Sequence, residues 1–458
     1  MARYKSVIEE YIAAGYGQHE PPLLVGTALR WNTLLLGAHG NGKTTTLKTI
    51  ARAVSRLDGD EESGFRYFPC DKVNMVTLAG IPDVSSGTLK FAASKSTVFG
   101  DDVRVIVLDE VTRARPEQQN QLMEILEEKT CFGIPLSKKV AIIGCANPLT
   151  YSGTQQELDA AFFDRFAIVF EVGTLLNEVD ERTLRRAIRI NQTRESKIND
   201  VTNQLGDIIK DIRDNYAELL ADENITERVE NYVCALWVRI DANRPQEIDK
   251  AGTKAPLYVS DRNIIHQLYH LVLSFAAYYK AIGDSMYLVK GAHAAIKYNL
   301  ELKLQHAAFT RQLEKVHNNI KFTLEADVST VEGKLRLEWV SIRHFPGYMD
   351  FLRDNIDEMV NMFDPAELTN MIGTVLDNAR ETNNRHGLVE ILELTNKCVK
   401  PEAFEHVAGR LESELVFAVL DRYVEECARL SQPNKPTFMD LHDVETYLER
   451  SSRPELAL

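Results

Sequence analysis

Over the first 170 residues, short apolar runs alternate with amphipathic stretches. WNTLLL (31–36), VRVIVL (103–108) and VAIIGCA (140–146) are aliphatic or β-branched and read as buried strands, although periodicity alone does not separate the first from a helix. LKTIARAVSRL follows the first run and sets Leu47, Ile50, Ala51 and Val54 at helical spacing. Pro116 suits the first turn of another helix, with Leu122, Ile125 and Leu126 on its buried face. From Gly173 the strand signal fades. ERTLRRAIRINQTRESKINDVTNQLGDIIKDIRD and ITERVENYVCALWVRI read as helices, and DANRPQEIDKAGTKAP (241–256) as a polar loop. Further on, Phe322, Leu324, Ala326 and Val328 alternate with polar residues, as do Leu335, Leu337 and Trp339. That pattern predicts a small β-hairpin with Gly333 in its turn. The rest of the C-terminal third reads as helical, with no fixed-period repeat.

Candidate chemistry falls at the ends of the apolar runs. GAHGNGKTTT follows the first, and Gly37, Gly42, Lys43 and Thr44 satisfy G-x-x-x-x-G-K-[ST] between a strand and a helix, the context that the motif needs. The phosphate-binding set is therefore Gly37, Ala38, His39, Gly40, Asn41, Gly42, Lys43, Thr44 and Thr45. Glycines let the backbone wrap a phosphate, and their N–H groups with the helix N-terminus favour anionic oxygens. Lys43 adds charge near the β- and γ-phosphates of ATP, and Thr44 offers a hydroxyl to Mg²⁺. The run at 103–108 ends in Asp109, a metal-holding carboxylate, and Glu110, which would polarise the attacking water. Asn147 ends the run at 140–146. It reads as a holder of that water or as a turn-forming residue before Pro148, and the other two strand ends favour the first reading. His266 and His270 lie four apart, but no Glu sits between them, so packing is favoured over metal binding.

VIVLDEVTRARPEQQNQLMEILEEKTCFG and VAIIGCANPLTYSGTQQELDAAFFDRF together resemble the MoxR family of AAA+ ATPases. The shared features are a D-E-x-x-R-A segment, a helix ending in M-E-x-x-E, N-P after a strand, a Ser152-Gly153-Thr154 turn and an Asp164-Arg165-Phe166 end. FPCDKVNMVTLAGIPDVSSGTLKFAASKSTVFG resembles the family's hairpin insert, and YVSDRNIIHQLYHLVL its lid helix. The resemblance covers about the first 300 residues. It implies an α/β P-loop core (1–173) of parallel sheet with helices on both faces, with the insert near 78–99, then a helical lid (174–302). A mostly α C-terminal domain (303–458) follows, either a ring support or a partner-docking module. It further implies Asn147 as sensor 1, Arg262 as sensor 2, Arg165 as the main trans-acting finger and Arg113 as a second trans contact. His39 stands where the family often has Pro, and four residues separate Asp159 from Asp164. A homo-oligomeric ring, most often a hexamer, is implied, with a chaperone-like action on a protein client such as a von Willebrand factor A domain protein. A nucleic-acid motor and a metal-chelatase subunit are the alternatives.

Composition narrows this only slightly. The 458 residues suit two or three domains, and 44% hydrophobic with 26% charged residues is an ordinary globular balance. A net charge of -14 without a Lys/Arg run argues against nucleic acid as the partner. No stretch reaches the ~20 apolar residues of a membrane span, and Glu9 and Glu10 interrupt any signal-like run. Six scattered cysteines without a CxxC pair fit the reducing cytoplasm.

Overall fold

The computed structural model describes residues 20–37, 43–59, 64–83, 90–92, 97–147, 160–172, 185, 196–242, 246–248, 254–256, 260, 262–301, 303, 307–325, 330–342, 345–363, 368, 371, 372 and 375. The chain divides into two compact units, Met1–Glu325 and Ala326–Leu458.

The first unit begins with α1 (Glu20–Leu29), then β1 (Thr33–Gly37), α2 (Lys43–Leu57) and β2 (Phe65–Pro69). A short helix α3 (Met75–Ala79) leads into β3 (Ile81–Asp83) and β4 (Lys90–Ala92), which pair antiparallel. Asn74 caps α3: its side chain accepts from the Thr77 amide at 3.0 Å while the Thr77 hydroxyl accepts from the Asn74 amide at 2.8 Å. Next come β5 (Val105–Asp109), α4 (Pro116–Glu127), the two-residue strands β6 (Thr130–Cys131) and β7 (Ile134–Pro135), and β8 (Ala141–Ala146). The hairpin insert and the β6–β7 turn meet through aromatic rings, Phe91 lying 5.9 Å from Phe132. The core closes with α5 (Ala160–Asp164) and β9 (Ile168–Val172).

β2, β5, β8, β1 and β9, in that order, form one five-stranded sheet, parallel throughout. The three apolar runs supply its middle, and Val105 through Leu108 are at most 1% exposed, as a sheet covered on both faces demands. Gly144 allows close packing in the middle of the sheet: a Cβ there would lie 2.9 Å from the Phe166 ring and 3.0 Å from Leu34. The helical period of α2 buries Leu47, Ile50, Ala51 and Val54 as its spacing predicts.

A helical part follows within the same unit: α6 (Ser196–Ala221), α7 (Glu223–Ala242), α8 (Tyr269–Ala281), α9 (Tyr287–Ala295) and α10 (Ala307–Ile320). α8 is buried from Leu271 to Tyr278. Its close approach to α9 rests on Gly291, where a Cβ would lie 2.6 Å from the Ala276 nitrogen. Arg213 of α6 ties this part to the core, donating to the Ala28 carbonyl at 3.0 Å and to Asp58 at 3.2 Å. The segment 241–256, expected as a loop, contains a small antiparallel pair, β10 (Gln246–Ile248) with β11 (Lys254–Pro256). Backbone groups alone make such a ladder, so its sequence needs no apolar alternation.

Among the described residues the β-hairpin expected over 322–339 does not form, Ala326 and Val328 lying outside them. In the second unit a helix stands in the place of its second arm, α11 (Val331–Ser341), followed by α12 (Phe345–Met362). The Thr330 hydroxyl accepts from the Gly333 amide at 3.0 Å, so Gly333 belongs to a capped first turn. Leu335 and Trp339, four apart, fit a helix face as well as a strand face, and Trp339 packs on Tyr348 at 4.9 Å. On the other arm, Phe322 and Leu324 lie in a 3-10 turn, Lys321–Leu324, of the first unit. Among the described residues no helix is long and apolar enough to cross a membrane.

Candidate functional site

Parallel strands deliver their last residues to one edge, and here that edge gathers the candidate residues. β1 ends at Gly37 and β5 at Asp109, while Asn147 follows β8 directly. Leu36 pairs with Ala146 and Leu108 with Gly144, so these ends lie side by side across three adjacent strands. Lys43 opens α2 and its Nζ donates to the Gly37 carbonyl at 2.6 Å. Burial lowers the Lys43 pKa, and Cys145, Asp109 and Glu110 counter the shift. The lysine therefore feels both carboxylates of the acidic pair. Thr44 is exposed beside it, and Asn147 is buried. Ala38, His39, Gly40, Asn41 and Gly42 lie outside the described residues, as does the side chain of Thr45.

The acidic pair is held from three directions. The Tyr67 hydroxyl of the neighbouring β2 donates to Asp109 Oδ2, and the Glu110 amide donates to Asp109 Oδ1 at 3.0 Å. Burial first, then the Asp109 carboxylate, pushes the Tyr67 pKa up, which keeps the hydroxyl a donor. Glu110 adopts left-handed backbone angles (φ 54°, ψ 44°), a conformation costing roughly 1 kcal/mol or more for a residue with a Cβ. Arg113 pairs with its carboxylate at 3.1 Å within the same chain. Cys145, fully buried, has its thiol pushed up to about 12 by burial first and then by Asp109, with Lys43 opposing. Tyr67 and Cys145 carry no motif; only their positions on strands flanking the acidic pair could have marked them.

Arg165 and Arg262 belong to the other edge of the sheet. Arg165 lies just before β9, where the amides of Ala167 and Ile168 donate to Asn32 ahead of β1. Asn32 Nδ2 donates to the carbonyls of Arg165 at 2.9 Å and Leu126 at 2.6 Å, joining that entry to the end of α4. Glu127, the last residue of α4, accepts from Arg165 Nε at 2.8 Å and from Arg262 Nη1 at 2.7 Å. From Thr33 to Gly37 the strand is about 13 Å long, so this arginine pair stands a full strand length from the phosphate-loop edge of its own chain.

A polar latch sits beside the pair. Asp164 accepts from Ser260 at 2.9 Å and from Asn263 at 2.7 Å, with Lys303 Nζ 3.8 Å away. Asn299 donates to the Ala167 carbonyl at 2.7 Å and to Gln267 at 2.9 Å. Burial pushes Lys303 down to about 7. Of the two spaced histidines, His270 is held by the Tyr216 hydroxyl at 3.0 Å and lies against Trp31, while His266 is exposed. Among the described residues no group of three His, Cys, Asp or Glu could hold a metal. Pro148, Ser152, Gly153, Thr154 and Asp159 lie outside the described residues.

A family model described as "AAA domain (dynein-related subfamily)" matches residues 32–166. Protein MoxR of Paracoccus denitrificans is 30% identical over 110 residues, 24% of this chain and 30% of that protein. The uncharacterized protein YeaC of Bacillus subtilis is 24% identical over 154 residues, 33% of this chain and 45% of that one. The chain thus spans less than half the length of the curated relatives it matches. A crystal structure described as a "putative ATPase" from Cytophaga hutchinsonii aligns with a TM-score of 0.45 and 18% identity, covering 69% of this chain and 93% of that one.

Proposed function

We propose, from the premise that this chain carries a dynein-related AAA domain of the MoxR type, that it hydrolyses ATP only where two copies meet. The observation that carries this reading is the separation of the two sheet edges. Lys43, Asp109, Glu110 and Asn147 stand at one, with Arg113 beside Glu110, and Arg165 and Arg262 at the other, so that Arg165 and Arg262 would reach the first edge only of a neighbour. Closed repetition of such a head-to-tail contact makes a ring, for which we take the hexamer usual in the family.

The residues present fit a magnesium nucleotide. The Thr44 hydroxyl and the Asp109 carboxylate are hard oxygen donors of the kind Mg²⁺ prefers, and the hydrogen bonds from Tyr67 and Glu110 orient that carboxylate. Mg²⁺ bound there would neutralise phosphate charge. The protein's own part is positional. Lys43 exchanges the Gly37 carbonyl for phosphate oxygens. Glu110 polarises the attacking water and takes its proton, and Asn147 orients that water. The neighbour's Arg165 stabilises charge on the transferred group. Arg113 holds the Glu110 carboxylate until an interface forms, which makes it a second arginine of that interface.

The work done is the chaperone-like remodelling of a protein client. Ile81, in the insert, and Val76, on the helix leading into it, are 67% and 54% exposed and offer it an apolar contact. A metal-dependent von Willebrand factor A domain is the first client to try, in the cytoplasm, whose reducing conditions suit the free thiols Cys70, Cys131 and Cys145.

Glu110→Gln tests the assembly directly. With ATP and Mg²⁺ this variant should bind nucleotide, stop turning over and shift in mass to a closed ring. A monomer under those conditions would remove the neighbour on which the mechanism depends.

A further inference from the structure

Glu127 belongs to none of the roles assigned so far, yet both edge arginines converge on it. Arg165, from the core, donates to Oε2 at 2.8 Å, and Arg262, from the helical part, donates to Oε1 at 2.7 Å. Arg165 also donates through Nη1 to the Ala161 carbonyl at 3.1 Å, which anchors it on its own helix. The two cations lie 97 residues apart in sequence, on parts of the chain joined here by Asp164, Ser260, Asn263 and Asn299. Arg262 first, then Arg165, lowers the Glu127 pKa, so the carboxylate is ionised at neutral pH. Two guanidinium groups near one another repel. A carboxylate with one oxygen for each removes that repulsion and sets their spacing.

We propose that Glu127 is a positioning residue, yoking the core arginine Arg165 to the lid arginine Arg262 so that they reach a neighbour's phosphates as one unit. This rests on the trans reading above. The yoke makes the finger sensitive to the lid: movement of the Arg262 helix shifts the shared carboxylate and with it Arg165. A plain surface ion pair behaves otherwise. Glu127 is 41% exposed on its side chain, and a pair at such a site that served only the surface would leave both turnover and Tm unchanged when broken.

The test is Glu127→Gln in the full chain, with Arg165→Ala assayed beside it. Turnover at saturating ATP should fall roughly 10- to 100-fold, the cost of a misplaced catalytic group. The KM for ATP should stay within about twofold and Tm within a few degrees, because the ATP-holding edge is untouched. Activity should recover when the variant is mixed with excess Lys43→Ala subunits, whose arginine edges are intact, and Glu127→Asp should restore part of it. Wild-type turnover in Glu127→Gln with Arg165→Ala impaired would overturn the yoke alone. Wild-type turnover in Arg165→Ala would overturn the trans reading itself. Should Glu127→Gln melt early, the Arg165→Ala and Arg262→Ala pair decides. A yoked pair gives a double variant no slower than the slower single; multiplied losses overturn the proposal.

Discussion

The two ends of one parallel sheet differ in how they are built. At the carboxyl ends, Gly37, Asp109 and Asn147 each terminate an apolar run, and the strand itself carries its functional residue to the edge. At the amino ends, Arg165, Glu127 and Arg262 come from a strand entry, a helix end and a distant helix of the helical part, and only packing joins them. In the proposed reading, the first edge holds an anion and polarises water. The second presents paired cations balanced by one carboxylate. The arginines that the proposed chemistry draws on stand at the second edge and the groups they serve at the first, and this is why that chemistry needs two copies.

Breaking the first edge should have the largest effect. Lys43→Ala removes the cation that Asp109 and Glu110 face, and nucleotide binding should fall below detection by calorimetry; normal affinity would dissolve the phosphate site. Breaking the second edge should be smaller and of a different kind. Arg165→Ala should lose turnover by ~10³ while binding ATP normally, and mixing with Lys43→Ala subunits should recover part of the loss. Absence of recovery in every mixture would argue that the arginine serves its own chain.

A change between the edges sharpens the contrast. Gly144→Ala puts a methyl against the Phe166 ring and Leu34, at a cost of about 1–3 kcal/mol from overpacking. Thermal denaturation should register it with turnover per folded subunit preserved; a selective loss of activity would mean that the sheet middle is coupled to the site. The smallest effect is a slope. Burial pushes Lys129 down to about 7, against its ordinary 10.5. Between those values the unfolded chain binds a proton that the folded one does not, so stability rises with pH across that window. Lys129→Met should flatten that rise in Tm between pH 7 and 10; an unchanged slope would place its origin elsewhere.

Legibility followed the same division. The strand–loop–helix context of Lys43 and Thr44, and the acidic pair after VIVL, were readable because function and secondary structure there share one contiguous stretch. Arg165 and Arg262 were reachable only through a family resemblance, and their meeting on Glu127 was visible in neither segment. Tyr67 was missed because an aromatic residue in a strand looks like packing until its neighbour across the ladder is known. The C-terminal hairpin failed for a related reason: Leu335 and Trp339 satisfy both a strand and a helix period, and the Thr330 cap with the Trp339–Tyr348 contact decided for helix. The β10–β11 pair escaped notice because backbone hydrogen bonds leave no side-chain pattern.

The sequence by itself determined the apolar runs that become the middle strands and the motif spacing of the P-loop and the acidic pair, since these act over a few residues and need no distant partner. That the sheet is parallel was implied only by the family resemblance. The tertiary structure decided which edge each arginine occupies, how Tyr67 and Arg113 hold the carboxylates, and that Glu127 joins Arg165 to Arg262. Those contacts link residues dozens to more than a hundred positions apart, or turn on a single strained backbone at Glu110, and it is packing rather than local preference that brings such groups within hydrogen-bonding distance.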